Sequence, residues 1–246
     1  MRVAIIIDWG NIKRRVFDKK GFPKEFSYKG YKDSDLTNFL CFFNSFLDKD
    51  EKLFRIFFYT AKPYEKDLSK HFKDLKETLS NEEKEKILEN SKKIANVINK
   101  FLHDLGKQNY IALRLGTLSF EGWDSTKEPP KPKFKQKKVD MLIGLDIAHL
   151  AYKKLVQRIL LFCYDTDIQP ALKVARMEGL QIVLPKLEEE FVENPPYDLL
   201  KHADIVRPKT LDDIKKDCGL IMRNIKRGNR WFSTESLIRR TLSKRN

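Results

Sequence analysis

The sequence predicts an α/β fold in which a central, mostly parallel β-sheet is covered by helices on both faces. Short apolar runs rich in β-branched and aromatic residues recur along the 246-residue chain, and stretches with helical periodicity lie between them. This alternation is typical of a parallel sheet, and nearly continuous apolar runs indicate strands that are buried on both faces. Five strands are predicted, at residues 3–7, 53–60, 110–116, 159–164 and 180–185.

Three helices are predicted between these strands. Residues 35–47 place apolar side chains on one face, and residues 139–156 are apolar over most of their circumference. Residues 168–178 lead from a turn into a helix that Gly179 ends, because glycine tolerates positive φ. The apolar face of the first helix consists of Leu36, Phe39, Leu40, Phe43 and Leu47.

A long Lys/Glu-rich stretch, residues 64–106, interrupts the alternation and predicts a helical insertion at about 62–106. It is too long for a simple crossover helix, so we expect a helical hairpin. The hairpin is also a candidate dimerisation arm, which makes a homodimer one of the assemblies we consider.

Residues 119–138 form the only low-complexity segment, and three prolines (129, 130 and 132) exclude a helix there. We expect a Lys/Pro-rich loop, either solvated or acting as a basic flap beside a site, because it runs directly into Val139-Asp140. Its six lysines include Lys135, Lys137 and Lys138.

The charge balance predicts an anionic partner. The formal net charge is +14, and nucleic acid is a more natural partner than a membrane surface, because no strongly amphipathic basic helix is evident. No apolar run reaches the length of a membrane span, and the start of the chain does not resemble a signal peptide. Three widely spaced cysteines suit reduced thiols. We therefore expect a cytoplasmic protein without membrane association.

The chain divides into a main domain at 1–208 and a basic C-terminal extension at 209–246. The extension holds eleven Lys/Arg against four Asp/Glu, and Arg227 and Arg230 lie close to Trp231 and Phe232. Basic residues interleaved with aromatics are typical of nucleic-acid contacts. A helix docked on the main domain through apolar residues such as Leu220 is an equally natural interpretation.

Aspartates follow two predicted strands. Asp8 ends the first strand, and Asp165 and Asp167 follow the fourth. In an open parallel sheet, ligands bind beyond the carboxyl ends of the strands where the strand order reverses. If these strands are neighbours, the three carboxylates meet there, and Asp140 at the start of a helix joins them. Each aspartate alone is more naturally a cap or turn residue.

Four carboxylates in one crevice repel one another, and a divalent hard cation removes the conflict. Oxygen ligands without a matching His or Cys favour Mg²⁺ or Mn²⁺ over zinc. Such a site on a basic protein suits phosphodiester hydrolysis. The turn "DWGNIK" has a single glycine, which argues against a dinucleotide site or a P-loop.

Four segments, "IIIDWGNI", "KQKKVDMLIGLDIAHLA", "FCYDTDIQPALKVARMEGLQIVL" and "HADIVRP", resemble the NYN family of PIN-like nucleases, including its LabA-like (DUF88) branch. The resemblance covers residues 1–208 with spacer insertions. It implies a three-layer α/β/α PIN-like, Rossmann-like fold and metal-dependent RNA cleavage. It also implies catalytic roles for Asp8, Asn11, Asp140, Asp165 and Asp167.

The resemblance assigns further roles and shows departures. Asn11 would position the metal-bound water or a phosphate, and Lys138 would contact phosphate. Asp146 lies at a commonly acidic position but about 240° round the helix from Asp140, so we exclude it from the metal ligands. Cys163-Tyr164 stands where the family has Ser-Gly, which affects substrate placement more than metal binding.

These observations predict a metal-dependent endoribonuclease. Asp8, Asp140, Asp165 and Asp167 would hold Mg²⁺ or Mn²⁺, while Lys135, Lys137, Lys138, Arg227 and Arg230 would hold the RNA backbone. Phosphate contacts carry little sequence information, so binding should be non-specific or structure-selected. The alternatives are a non-catalytic RNA-binding or regulatory module and a DNA or flap-type nuclease.

Overall fold

A seven-stranded sheet forms the centre of the protein in a computed structural model that describes residues 1–28, 33–75 and 79–226. The strand order is β4-β3-β2-β1-β5-β6-β7, and every neighbouring pair is parallel except β3 and β4. The α/β class and the mostly parallel sheet are therefore confirmed. The strands are β1 (Arg2–Asp8), β2 (Lys52–Ala61), β3 (Ile111–Asp124), β4 (Lys131–Lys137), β5 (Arg158–Phe162), β6 (Gln181–Leu187) and β7 (Ile205–Lys209).

Helices cover both faces of this sheet. The seven α-helices of the described residues are α1 (Trp9–Ile12), α2 (Asp33–Asn44), α3 (Asn81–Gly106), α4 (Val139–Tyr152), α5 (Gln169–Met177), α6 (Tyr197–Leu200) and α7 (Leu211–Lys226). A π-helical turn extends α1 over Lys13–Phe17, and short 3-10 helices lie at Lys24–Phe26, Leu68–Asp74 and Thr166–Ile168. None of the helices in these ranges is long and apolar enough to cross a membrane.

Strand β1 lies between β2 and β5, and the strand order reverses between β1 and β5. The chain passes from β1 outward to β2, β3 and β4, and then returns to β5 on the other side. Ile7 pairs with Phe162 and Asp8 pairs with Tyr59, so β1 and β5 end close together. We call the end of the sheet where its parallel strands finish the carboxyl edge.

Two apolar cores lie on the two faces of the sheet, because alternate residues of β1 point to opposite sides. Val3, Ile5 and Ile7 pack into a core rich in phenylalanine, to which α2 contributes most. Ala4 and Ile6 pack into an aliphatic core formed with α4 and α5. These buried faces explain the uninterrupted apolar run at the start of the chain.

A buried ionic triad links the amino ends of β2 and β5 to the middle of β7. The Glu51 carboxylate accepts hydrogen bonds from Arg158 at 2.6 Å and from Arg207 at 2.8 Å and 3.1 Å. All three residues are less than a tenth exposed. The triad therefore fixes the start of β2 to β5 and β7.

The expected loop at 119–138 was wrong, because β3 and β4 form an antiparallel hairpin there. The prolines exclude a helix but leave an edge strand free to form. Along β4, exposed lysines alternate with partly buried Pro132, Phe134 and Gln136. Phe134 packs against Phe120 and Tyr64, so this two-residue period fixes one side of the hairpin to the domain.

The helical hairpin expected within 64–106 was also wrong for the described residues. A 3-10 helix precedes one 26-residue helix, α3. Ser80 and Glu83 form a capping box that fixes the start of α3. Ile94 and Val97 are more than half exposed, so the outer part of this helix lies apart from the main core.

Strand β7, which the sequence prediction missed, ends at the first residue of the C-terminal extension, and the extension continues into α7. Leu211, Ile214 and Cys218 are buried against the phenylalanine-rich core, so the helical part of the extension docks on the main domain. The predicted contacts of Arg227 and Arg230, and the aromatic pair beside them, lie outside the described residues.

Candidate functional site

Asp8 is the buried carboxylate at the centre of the carboxyl edge. It ends β1, and its side chain is 3% exposed. One carboxylate oxygen, Oδ1, accepts the backbone N–H of Asn11 at 3.1 Å and so caps α1. The other, Oδ2, lies 3.6 Å from the Cys163 thiol, which donates to it. Local capping therefore fixes the position of this acid.

Asn11 joins α1 to the loop that follows β5. Its side-chain oxygen accepts the backbone N–H of Tyr164 at 3.0 Å, and both residues are buried. The role implied by the resemblance was to orient a water or a phosphate. In this structure the amide oxygen holds the loop, so Asn11 fixes the position of residues 163–167, and its role towards a water or a phosphate stays a prediction.

The loop at 163–167 carries two of the candidate acids. The Asp165 backbone N–H donates to the Cys163 sulfur at 3.4 Å, and Asp165 Oδ1 accepts the Asp167 N–H at 3.1 Å. The Tyr164 side chain turns into the core, where its hydroxyl donates to the Pro185 carbonyl at 3.3 Å. Tyr164, which stands where the resembled family has glycine, is thus accommodated by burying its side chain in the core.

Asp140 lies in the first turn of α4. Lys138, with a left-handed φ of 74°, precedes this helix and turns the chain from β4 into it. The Asp140 side chain reaches solvent, yet its pKa is raised by partial burial and by the negative charges of Asp165 and Asp167. Asp140 therefore shares an electrostatic field with the loop after β5.

The structure brings Asp8, Asp140, Asp165 and Asp167, here called the carboxylate cluster, to one end of the sheet. Burial raises the pKa of Asp8 to about 6, its hydrogen bond from Asn11 opposes the shift, and the charges of Asp140 and Asp165 add to it. Excess negative charge therefore gathers where β1 and β5 end. This is the arrangement that an added cation stabilises.

The donor set fits Mg²⁺ or Mn²⁺ in chemistry, since all four side chains offer carboxylate oxygens. Within residues 1–28, 33–75 and 79–226, however, no three His, Cys, Asp or Glu side chains are placed to hold one metal ion between them. The acids are close enough to influence one another electrostatically but are not arranged as a ready-made chelate.

Asp146 belongs to a separate network. Its Oδ2 accepts the Tyr59 hydroxyl at 2.7 Å and Arg114 Nε at 2.6 Å. This network joins α4 to β2 and β3 and agrees with the exclusion of Asp146 from the metal ligands on helical geometry.

The lysine-bearing hairpin adjoins the carboxylate cluster. Gly116 pairs with Ala61 at the end of β2, and Thr117 then pairs with Lys137, so the hairpin extends beyond the carboxyl edge. A Cβ built on Gly10 would lie 2.6 Å from the Gln136 side chain, so β4 packs directly against the turn after Asp8. Lys135 and Lys137 are exposed on the opposite side of β4.

Two contributors escaped the sequence prediction. Cys163 is a fully buried core residue, and it also bridges Asp8 and the Asp165 backbone. Gln136 was part of a presumed loop, yet it lies against Gly10. The alternation of lysine with other residues over 131–137 was the sequence signal for the strand that carries Gln136. No local sequence pattern indicated the contacts of Cys163.

Comparison of the chain with protein-family models, with curated proteins and with solved structures gives no match.

Proposed function

We propose that this protein is a metal-dependent endoribonuclease of the PIN-like class. The observation that carries the proposal is the position of Asp8, a buried acid where the strand order reverses, with a pKa raised by burial and by the acids around it. Ligand sites of open α/β sheets lie at such a reversal. The resemblance of four segments to NYN nucleases and the net charge of +14 also support it.

The four acids of the carboxylate cluster would hold Mg²⁺ or Mn²⁺, and the bound ion would supply an activated water and neutralise charge on the scissile phosphate. Asn11 holds the loop after β5 by accepting the Tyr164 N–H, and the Cys163 thiol donates to Asp8. Lys138, which precedes the helix of Asp140, and Lys137 beside it would balance the negative charge of the incoming backbone.

The direct test measures cleavage of a labelled single-stranded RNA in Mn²⁺, with EDTA as the control. Asp8→Asn combined with Asp165→Asn should abolish cleavage and leave RNA binding in EDTA intact. Asp212→Asn combined with Glu178→Gln, both at exposed positions, is a matched control for the loss of two negative charges. Undiminished cleavage by the double variant would refute the site assignment.

A second candidate is a non-catalytic RNA-binding or regulatory module. The spacing of the acids favours it, since no three of the described side chains are placed to hold a metal ion together. Absence of RNA turnover under all metal conditions, with binding retained, would select this function. Faster cleavage of a matched DNA strand would select the DNA or flap-type alternative instead.

A further inference from the structure

The hairpin carries a regular row of positive charge, of which the proposed function uses only Lys137 at one end. Lys131, Lys133, Lys135 and Lys137, here called the lysine row, are all exposed on one side of β4. Because side chains on a strand alternate, lysines two residues apart project in the same direction about 7 Å from one another. The complete row is about 20 Å long.

Only part of this charge is neutralised within the protein. Lys137 lies 3.1 Å from Glu121 and Lys133 lies 3.8 Å from Asp124. Lys131 and Lys135 have no carboxylate within salt-bridge distance in the part of the chain that the structure describes. The residues opposite Lys135 and Lys137 on β3 are Ser119 and Thr117, which are small and leave the ammonium groups accessible.

The other side of the hairpin is already occupied. Phe134, Phe120 and Trp123 pack with one another and with Tyr64 and Phe72 in a small apolar cluster. The aromatic side chains of the hairpin therefore face away from the lysine row and offer it no surface on which bases stack. A ligand on this row is held through charge alone.

The lysine row ends beside the candidate site. Lys137 is followed by Lys138, and that residue by the helix that carries Asp140. On the other side of the same strand, Gln136 packs against Gly10, two residues after Asp8. A chain lying along the row is therefore directed towards the carboxylate cluster.

We propose that the lysine row is a track for the backbone of single-stranded RNA, which it holds through successive phosphates and leads to the carboxylate cluster. The spacing of the lysines is close to one nucleotide of an extended strand, and a single straight row follows one backbone rather than the two of a duplex. Binding is independent of base sequence because only phosphates are contacted. The inference rests on the proposed nuclease function for its direction, but binding itself does not require catalysis.

The test measures binding of a fluorescein-labelled 12-nucleotide oligouridylate by anisotropy, in EDTA and over a range of salt concentrations. One variant replaces Lys131, Lys133, Lys135 and Lys137 by Gln. The matched control replaces four exposed lysines elsewhere, Lys86, Lys92, Lys107 and Lys173, by Gln, so the net charge is equal. A third variant carries Arg at the four row positions, and thermal melting checks that each variant is folded.

The row variant should lose at least about tenfold in affinity, and its salt slope should fall by about two to three units, since each phosphate contact to a single strand contributes about 0.7. The charge-matched control should change affinity less than about threefold, and the Arg variant should bind as the unaltered protein does. Equal losses in row and control variants would overturn the proposal in favour of a general charge effect. Tighter binding of a duplex, or of the matched DNA strand, would overturn it as well.

This result separates the track from the nuclease. If the unaltered protein cleaves RNA and the row variant still binds RNA normally, the track is refuted and the nuclease function stands. If the unaltered protein does not cleave RNA but the row variant loses RNA binding, the track stands and the nuclease function is refuted.

Discussion

The side-chain oxygen of Asn11 lies 3.0 Å from the backbone nitrogen of Tyr164 and accepts its hydrogen. Asn11 follows β1 and Tyr164 follows β5, so this bond joins the turn after Asp8 to the loop that carries Asp165. Beyond the paired strands, one buried amide therefore helps to set the relative position of the two acids.

Replacing Asn11 by Ala should destabilise the protein by about 1–3 kcal/mol, because the buried Tyr164 N–H loses its acceptor. Asn11→Asp keeps an acceptor but adds a buried acid beside Asp8, so it should recover stability relative to Asn11→Ala only at acidic pH, where the new carboxyl is protonated. Chemical denaturation of both variants at pH 7 and at pH 4 measures the difference. Equal losses in the two variants at pH 4 would show that the hydrogen bond is not the cause.

Asp8→Asn should stabilise the fold. In the folded protein the pKa of the Asp8 carboxyl group is raised to about 6, so ionising it costs more there than in the unfolded chain. At any pH above the unfolded pKa, the ionised group therefore lowers the free energy of unfolding. The amide removes this penalty and should add about 2 kcal/mol at pH 7. The gain should shrink as pH falls below about 6 and disappear near pH 4. A gain that is constant with pH would contradict ionisation as its origin.

Glu51 should have the opposite pH dependence. Its burial raises the pKa, but hydrogen bonds from Arg207, the Asp48 backbone and Arg158 outweigh this effect and lower the pKa overall. A lowered pKa gives stability that is complete above the unfolded pKa and is lost as pH falls through the folded value. Glu51→Gln should cost about 3 kcal/mol at pH 7, because it removes the carboxylate partner of buried Arg158 and leaves Arg207 with only the more exposed Asp48.

Urea denaturation between pH 3 and pH 7 tests this prediction. The difference between the unaltered protein and Glu51→Gln should narrow on acidification. A difference that widens at low pH would contradict the predicted direction of the pKa shift.

Asp140 and Asp146 lie on the same helix and should respond differently to replacement by Asn. Asp140→Asn should abolish RNA cleavage with little loss of stability, since its side chain reaches solvent and is repelled by its acidic neighbours. Asp146→Asn should lower the melting temperature, because Arg114 and the Tyr59 hydroxyl lose a charged partner. Cleavage per folded molecule should persist in the second variant, and its loss would place Asp146 in the site.

The central sheet and the position of Asp8 could be predicted because burial on both faces leaves a direct trace in the sequence. Val3 to Ile7 is apolar throughout, and the parallel pairing of β1 with β5 follows from alternating strands and helices. The sequence left open whether the two strands are neighbours, and the strand order of the structure is what places Asp8 and Asp165 at one edge.

The edge strands were harder to predict. β4 buries only one side, and its other side is lysine, which has low β-propensity. β7 contains Arg207 and Pro208, so its pattern is mostly polar. The contacts of Cys163 depend on loop geometry rather than periodicity, and no spacing rule reveals that its sulfur lies between Asp8 and Asp165.

The Glu51 triad also bears on the far end of β5. Glu51 directly precedes β2 and Arg158 begins β5, so their ion pair joins the amino ends of these two strands, and Arg207 adds the middle of β7. Of the three strands, only β5 leads into the loop that carries Asp165 and Asp167. Two of the four candidate acids therefore follow a strand that is anchored at its start by a buried ion pair.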